Sequence, residues 1–194
     1  MHPRSLIFQR EPVWRPAKAS TLGAPYAVRS WLAEPGSLTA RLRSAVGVGF
    51  GVRLIGQCWA RPFADEANLL NLPPRQRVLV REVLLHCEGK PLVLARSIIP
   101  PRTLRGIHCG LAHLGDRPLG ELLFAYRGLK RSHLEMARVR PTDWKLSIAR
   151  EFTIESPAWG RRSLYQVGKV SLCVCEFFLP ATLSLGHLRE CLYP

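Results

Sequence analysis

Leu172-Cys173-Val174-Cys175-Glu176-Phe177-Phe178-Leu179-Pro180 is an almost wholly apolar stretch with one carboxylate in its middle. It reads as a strand. Side chains alternate across a strand, so Glu176 shares a face with Leu172, Val174 and Phe178, the company of a core residue. An ionised group taken out of water costs several kcal/mol unless a cation or a ligand satisfies it. The stretch therefore predicts a partner for Glu176 elsewhere in the chain.

Working outward, Arg162 to Val167 and the turn Gly168-Lys169 complete a hairpin with this strand. A second hairpin is predicted where Arg77 to Cys87 and Pro91 to Ile99 flank Glu88-Gly89-Lys90. In its first strand Arg81 lies on the face of Leu79, Val83 and Leu85, with Glu82 opposite, beside Val80 and Leu84. In its second, alternation puts Arg96 with Leu92, Leu94 and Ile98. Both arginines are candidate partners for Glu176, because a guanidinium stays charged and its fork can hold a carboxylate bidentately. An ordinary buried or edge ion pair, or a guanidinium reaching back to water, is the alternative for each.

Further strands are expected at Gly47 to Trp59, Ser132 to Arg138 and Leu146 to Ile154. The glycines of the first do not fit G-x-G-x-x-G between a strand and a helix. Helices are expected over Val28 to Leu32 and, after Pro35-Gly36 and an N-cap at Ser37, over Leu38 to Val46. Two more are expected at Thr103 to Leu114 and from an Asp116 cap through Phe124, with Pro118 near the first turn. The helices pair into two helix-turn-helix hairpins. The first lacks a basic recognition face, so a lid or packing role is favoured over DNA reading; the amides opening the last helix form an anion- or carboxyl-binding feature. Residues 1–28 form an irregular arm and 182–194 a tail. The expected architecture is a single α+β domain over 1–194, with a mostly antiparallel six-stranded sheet.

Composition narrows the chemistry. Twenty-eight Lys and Arg against 14 Asp and Glu give a net charge of +14, but the arginines are scattered and no zinc finger or RNP-like motif accompanies them, which argues against nucleic acid. A positive field also draws in small anions. The six cysteines are read as reduced thiols of a cytoplasmic protein, since a chain this long and apolar needs no disulfide framework. No apolar run reaches the roughly 18 residues of a membrane span, and the N-terminus has no apolar signal region. Cys173-x-Cys175 has no second ligand pair at zinc spacing, so no metal site is expected. A serine-hydrolase elbow, a phosphate loop and H-E-x-x-H are missing. What fits is a small, flat, anionic ligand in a pocket that either transforms or senses it.

Several motifs then resemble one family. Arg81-Glu82-Val83-Leu84-Leu85, Gly89-x-Pro91, Ala95-Arg96-Ser97-x-x-Pro100, Pro118-Leu119-Gly120-x-x-Leu123-Phe124, Trp159-Gly160-Arg161-Arg162-Ser163 and Glu176-x-Phe178-Leu179-Pro180-Ala181 occur in order. Together they are similar to bacterial chorismate pyruvate-lyase. The resemblance implies a ligand enclosed beside a six-stranded sheet under two helical flaps. It implies conversion of chorismate to 4-hydroxybenzoate and pyruvate, the entry to ubiquinone synthesis, by a cytoplasmic monomer without metal or organic cofactor, nucleic-acid partner or membrane insertion. By position, Arg81 and Glu176 match the catalytic polar residues at the ligand. Leu38 and Leu119 match the flap contacts, the latter with Gly120 through main-chain amides, and Arg96 matches an arginine near the cavity entrance. Glu176 is expected to accept a hydrogen bond from the ring hydroxyl. Arg140 to Pro157 is longer than the family pattern, the tail after Ala181 extends further, and Leu38 replaces a longer apolar side chain. A ligand-sensing domain like those of GntR-type regulators is the alternative; it would need a DNA-binding domain that 28 irregular residues cannot supply.

Overall fold

A computed structural model describes residues 4–17 and 23–187, without the side chains of 106–109, 186 and 187. Seven strands form one antiparallel sheet: β1 (Arg15–Pro16), β2 (Phe50–Ala60), β3 (Val78–Cys87), β4 (Lys90–Ile99), β5 (Lys130–Val139), β6 (Ala158–Val167) and β7 (Val170–Phe178). Their order is β1-β5-β6-β7-β4-β3-β2. The predicted hairpins are β3/β4 and β6/β7, turned by Glu88-Gly89 and Gly168 at positive φ. They lie side by side through β4 and β7. That placement buries β7 on both faces, which is why its sequence is apolar at nearly every position.

Among the described residues six α-helices decorate the sheet: α1 (Tyr26–Ala33), α2 (Leu38–Val46), α3 (Ala64–Leu69), α4 (Leu119–Phe124), α5 (Leu146–Glu151) and α6 (Pro180–His187). Helix α2 starts as its sequence predicts, with Ser37 Oγ accepting the Ala40 N–H at 3.2 Å. On one face of the sheet Val80, Leu84, Leu94, Ile98 and Phe177 pack against Phe8, Trp144, Ile148 and Phe152. Phe8 stacks on Trp144 with centroids 4.6 Å apart, and both rings meet Phe177 edge-on. Gly160 faces Phe177 across the β6–β7 pair, and a Cβ there would come within 2.4 Å of the ring. The motif glycine thus makes room for an aromatic.

The other face carries two separate clusters. Val83, Leu85, Val93 and Phe178 pack under α1 and α2 with Val28, Trp31, Leu32, Leu38 and Leu42. Leu79, Ile99, Tyr165, Leu172 and Val174 pack under α4 and the preceding turn, with Leu111, Leu119 and Leu123. Polar side chains run between the clusters, and the site lies there.

Several expectations are corrected. Among the described residues the sheet has seven strands rather than six: of the seven segments expected as strands Leu146 to Ile154 drops out, and β1 comes instead from the supposedly irregular arm. That arm is strapped to the sheet: Ser5 Oγ and the Leu6 N–H each donate to Glu82 at 2.5 Å, and Ile7 and Phe8 are buried. Leu146 to Ile154 is not a strand; Ile148 and Phe152, four residues apart, share the buried face of α5 while Leu146 is exposed. Thr103 to Leu114 forms two 3-10 turns, Pro101–Leu104 and Gly106–His113, in place of a helix, as Gly106 and Gly110 disfavour α-helix. Pro118, not Asp116, occupies the cap position of α4, and Asp116 Oδ1 accepts the Leu54 N–H instead. Gly47–Gly49 is a 3-10 turn ahead of β2, and β6 begins four residues before Arg162. A register shift leaves Leu92 with the helix-side cluster rather than beside Arg96. Pro180–His187 is helical, and the remaining tail, 188–194, lies outside the described residues, as do 1–3 and 18–22 of the arm. No described helix is long and apolar enough to cross a membrane.

Candidate active site

Strand register sets the site. On the helix-covered face one rung reads Arg161, Glu176, Ala95, Val83 across β6, β7, β4 and β3; the next reads Ser163, Val174, Ser97, Arg81. Arg81 and Glu176 are therefore two strands and two residues apart, roughly 12 Å between Cα atoms at normal strand spacing. Such a diagonal leaves room for one ring between opposite charges.

A narrow slot occupies this diagonal. It is lined by Arg81, Val83, Ala95, Ser97, Val174 and Glu176 from the sheet and by Tyr165, and roofed by Leu38 and Thr39 of α2 and Leu119, Gly120 and Leu123 of α4. The free space inside it is about 40 Å³, and about 520 Å³ when the mouth open to solvent is counted. The roof helices meet closely at Gly120, where a Cβ would stand 3.1 Å from Thr39 Oγ1 and 3.2 Å from Ser37 Oγ. An exposed ion pair, Arg43 to Glu121 at 2.5 Å, joins them on the outside.

The poles differ in how they are satisfied. Arg81 is buried; Nη2 donates to the carbonyls of Gly115 and Arg117 at 2.9 Å each, and Nε has no hydrogen-bond partner among the described residues. Burial pushes its guanidinium down to about 10, with Asp116 only partly opposing. No carboxylate forms an ion pair with Arg81 among the described residues, so this pole carries a buried cation in want of an anion. Glu176 pairs with Arg161, whose Nε donates to Oε2 at 2.5 Å. Burial works against the Arg161 charge, and Glu176 outweighs it, raising the guanidinium above its ordinary value. Tyr165, between them and the roof, is pushed up to about 12, first by burial and then by Glu176.

Five of the six sequence-predicted residues, Leu38, Arg81, Leu119, Gly120 and Glu176, thus line one slot. Arg96 does not. It lies on the opposite face, donating Nε and Nη2 to Glu66 at 2.7 and 2.9 Å and Nη1 to Glu82 at 2.7 Å, with its guanidinium over the Phe63 ring. It does not line the slot and is not the partner of Glu176, because its register partner is Glu82, the neighbour of Arg81 that faces the other side of β3. The partner is Arg161, to which no role is assigned from sequence. The signal was present: counting back from Gly168-Lys169 sets Arg161 opposite Glu176, but placing the start of the strand at Arg162 hid it. Cys173 and Cys175 lie on the far face with sulfurs 4.0 Å apart, and burial raises the Cys175 thiol.

Comparison with known proteins places this geometry. The solved effector domain of PhnF from Mycobacterium smegmatis shares the fold with a TM-score of 0.54 at 16% identity, over 75% of this chain and 90% of that one. A GntR-family regulator from Bacillus cereus gives 0.53 at 11% identity, over 69% and 94%. Sequence likeness is far stronger to proteins named probable chorismate pyruvate-lyase. That of Methylococcus capsulatus is 49% identical over 158 residues, 81% of this chain and 98% of the relative; that of Halorhodospira halophila is 42% identical over 170 residues, 86% and 89%. The profile of the family described as chorismate lyase matches residues 9–185, taking in the arm from Gln9 onward, both roof helices, both poles of the slot and most of α6, so the chain belongs to the chorismate lyase family.

Proposed function

We propose that the protein is a chorismate lyase, releasing 4-hydroxybenzoate and pyruvate at the Arg81–Glu176 slot as the first step toward ubiquinone. The observation carrying this reading is the pairing, across one ring's length, of an unneutralised buried arginine with a carboxylate under two roof helices. Chorismate is a dianion with a ring carboxylate at one end and a hydroxyl at the other. Arg81 holds the ring carboxylate and offers the free Nε that burial leaves short of a partner. Glu176 accepts the hydrogen bond of the C4 hydroxyl. The C3–O bond breaks, the C4 proton leaves, the ring becomes aromatic, and the methylene carbon of the departing enol gains a proton to become the methyl group of pyruvate.

Aromatisation supplies the driving force, so positioning and exclusion of water are the protein's task. Leu38 and Leu123 press on the ring from the roof, and the main-chain amides of Leu119 and Gly120, which open α4 and lack partners within the helix, face the substrate. Roof closure sets the pace of product release.

Incubation with chorismate in the presence of a chelator, assayed for 4-hydroxybenzoate and pyruvate in equal amounts, tests the reading. Consumption no faster than in buffer would sink it, and tight 4-hydroxybenzoate binding without turnover would turn the slot into a sensor. Glu176→Gln and Arg81→Ala are each expected to lower turnover by roughly 100-fold or more while the chain stays folded. Wild-type rates in either would place the chemistry elsewhere.

A further inference from the structure

Each pole of the slot is tied to the root of one roof helix. Arg81 donates to the carbonyls of Gly115 and Arg117, in the loop that leads into α4. Arg161 does the same for α2. Its Nη1 donates to the carbonyls of Trp31 at 3.0 Å and Glu34 at 2.7 Å. These carbonyls lie at the C-terminal end of α1, where the helix dipole is negative. Three residues beyond Glu34, Ser37 caps α2, which delivers Leu38 and Thr39 to the slot. The root is restrained further: Arg131 donates Nη1 to the same Glu34 carbonyl and Nε to Ser163 Oγ, while the Glu34 carboxylate accepts the Gly36 N–H and pairs with Arg41.

Arg161 is fully buried and does not line the slot. It reaches the slot through Glu176 and through the root of α2. Its Nε occupies Oε2 of the carboxylate, and Oε1 has no hydrogen-bond partner among the described residues. A guanidinium held by two carbonyls has a set orientation, so the direction of its Nε–H, and with it the position of Oε2, is set.

We infer that Arg161 is a positioning residue: it turns the Oε1 lone pairs of Glu176 toward the ligand hydroxyl and couples that orientation to the seating of α2 through the Trp31 and Glu34 carbonyls. The inference rests on the proposed contact between Glu176 and a ring hydroxyl. It assigns Arg161 control of discrimination between ligands with and without that hydroxyl, beyond any share in stability.

The test is calorimetric titration of the full chain with 4-hydroxybenzoate and with benzoate. Wild type is expected to prefer the hydroxylated ligand by roughly 10- to 100-fold, the worth of one hydrogen bond to a charged group. Arg161→Lys keeps the charge but cannot fill Oε2 and two carbonyls with the same fixed geometry. Its preference is expected to fall to within about threefold of that in Glu176→Gln. A purely structural Arg161 would lower the melting temperature and weaken both ligands by one common factor; a preference kept at the wild-type ratio would overturn the inference. Should the variant not fold, the unaltered protein carries the test. The Arg161 Nε–H resonance is expected to shift on adding 4-hydroxybenzoate and not on adding benzoate, and equal responses would overturn the inference. If wild type shows no preference, the Glu176 contact fails and Arg161's role with it; if wild type discriminates and Arg161→Lys does so equally, only the role of Arg161 fails.

Discussion

The two faces of the sheet handle a buried arginine in opposite ways. On the far face Arg96 is enclosed by two carboxylates and an aromatic ring; burial works against its charge, and Glu66 and Glu82 more than restore it. Glu82 in turn holds Ser5 and Leu6, so this network pins the N-terminal arm across the sheet. On the near face Arg81, one residue from Glu82 in sequence, has main-chain carbonyls for company, and its charge is left under strain. A matched buried charge is a fastening. An unmatched one is where the proposed anionic ligand would find its counter-charge.

The sharpest break of this contrast is Arg96→Ala. It strands two buried carboxylates, which typically costs about 3–5 kcal/mol, or a melting temperature lower by on the order of 10 °C in a chain this size. Thermal denaturation followed by circular dichroism checks it; a shift under about 3 °C would show the network is no fastening. Arg81→Met should behave in the opposite sense. The fold disfavours its charged form, so removing it is expected to leave the melting temperature unchanged or a few degrees higher, while benzoate affinity falls roughly 100-fold with the loss of two charge-assisted bonds. A destabilisation like that of Arg96→Ala would erase the distinction between the faces.

Smaller effects refine the near face alone. Gly120→Val forces a branched side chain against Thr39 and the Ser37 cap, holding the roof helices apart. Ligand affinity measured by calorimetry is expected to fall roughly tenfold, with little change in melting temperature. Arg43→Ala removes an exposed ion pair between those helices, worth no more than about 1 kcal/mol. Stopped-flow release of 4-hydroxybenzoate should quicken by less than about fivefold, and salt should abolish the difference by screening the wild-type pair. A salt-insensitive change would mean that Arg43 acts through its contact with the Phe50 ring instead.

Much of this was legible in the chain itself. Turn residues at Glu88-Gly89 and Gly168 announce two hairpins, the Ser37 cap announces α2, and alternation around Glu176 and Arg81 marks both as charges on apolar faces. Where local pattern is ambiguous the reading slips: Leu146 to Ile154 supports either a period of two or a spacing of four, and only packing of Ile148 and Phe152 against Trp144 and Phe8 selects the helix. The arm carries no period because its two-residue strand and its bonds to Glu82 depend on partners more than seventy residues away.

Sequence alone determined that Glu176 needs a partner, a cation or a ligand, since a carboxylate among Leu172, Val174 and Phe178 is costly to leave unpaired. Tertiary structure alone decided which. Arg81, Arg96 and Arg161 are chemically the same and all lie on strands, and alternation assigns each a face only relative to its own strand. Joining β4 to β7 decides which faces coincide, and register across β6 and β7 decides which residues meet. These are non-local choices made by packing, and they place Arg161 against Glu176, send Arg96 to the far side, and leave Arg81 across the slot with main-chain carbonyls for partners.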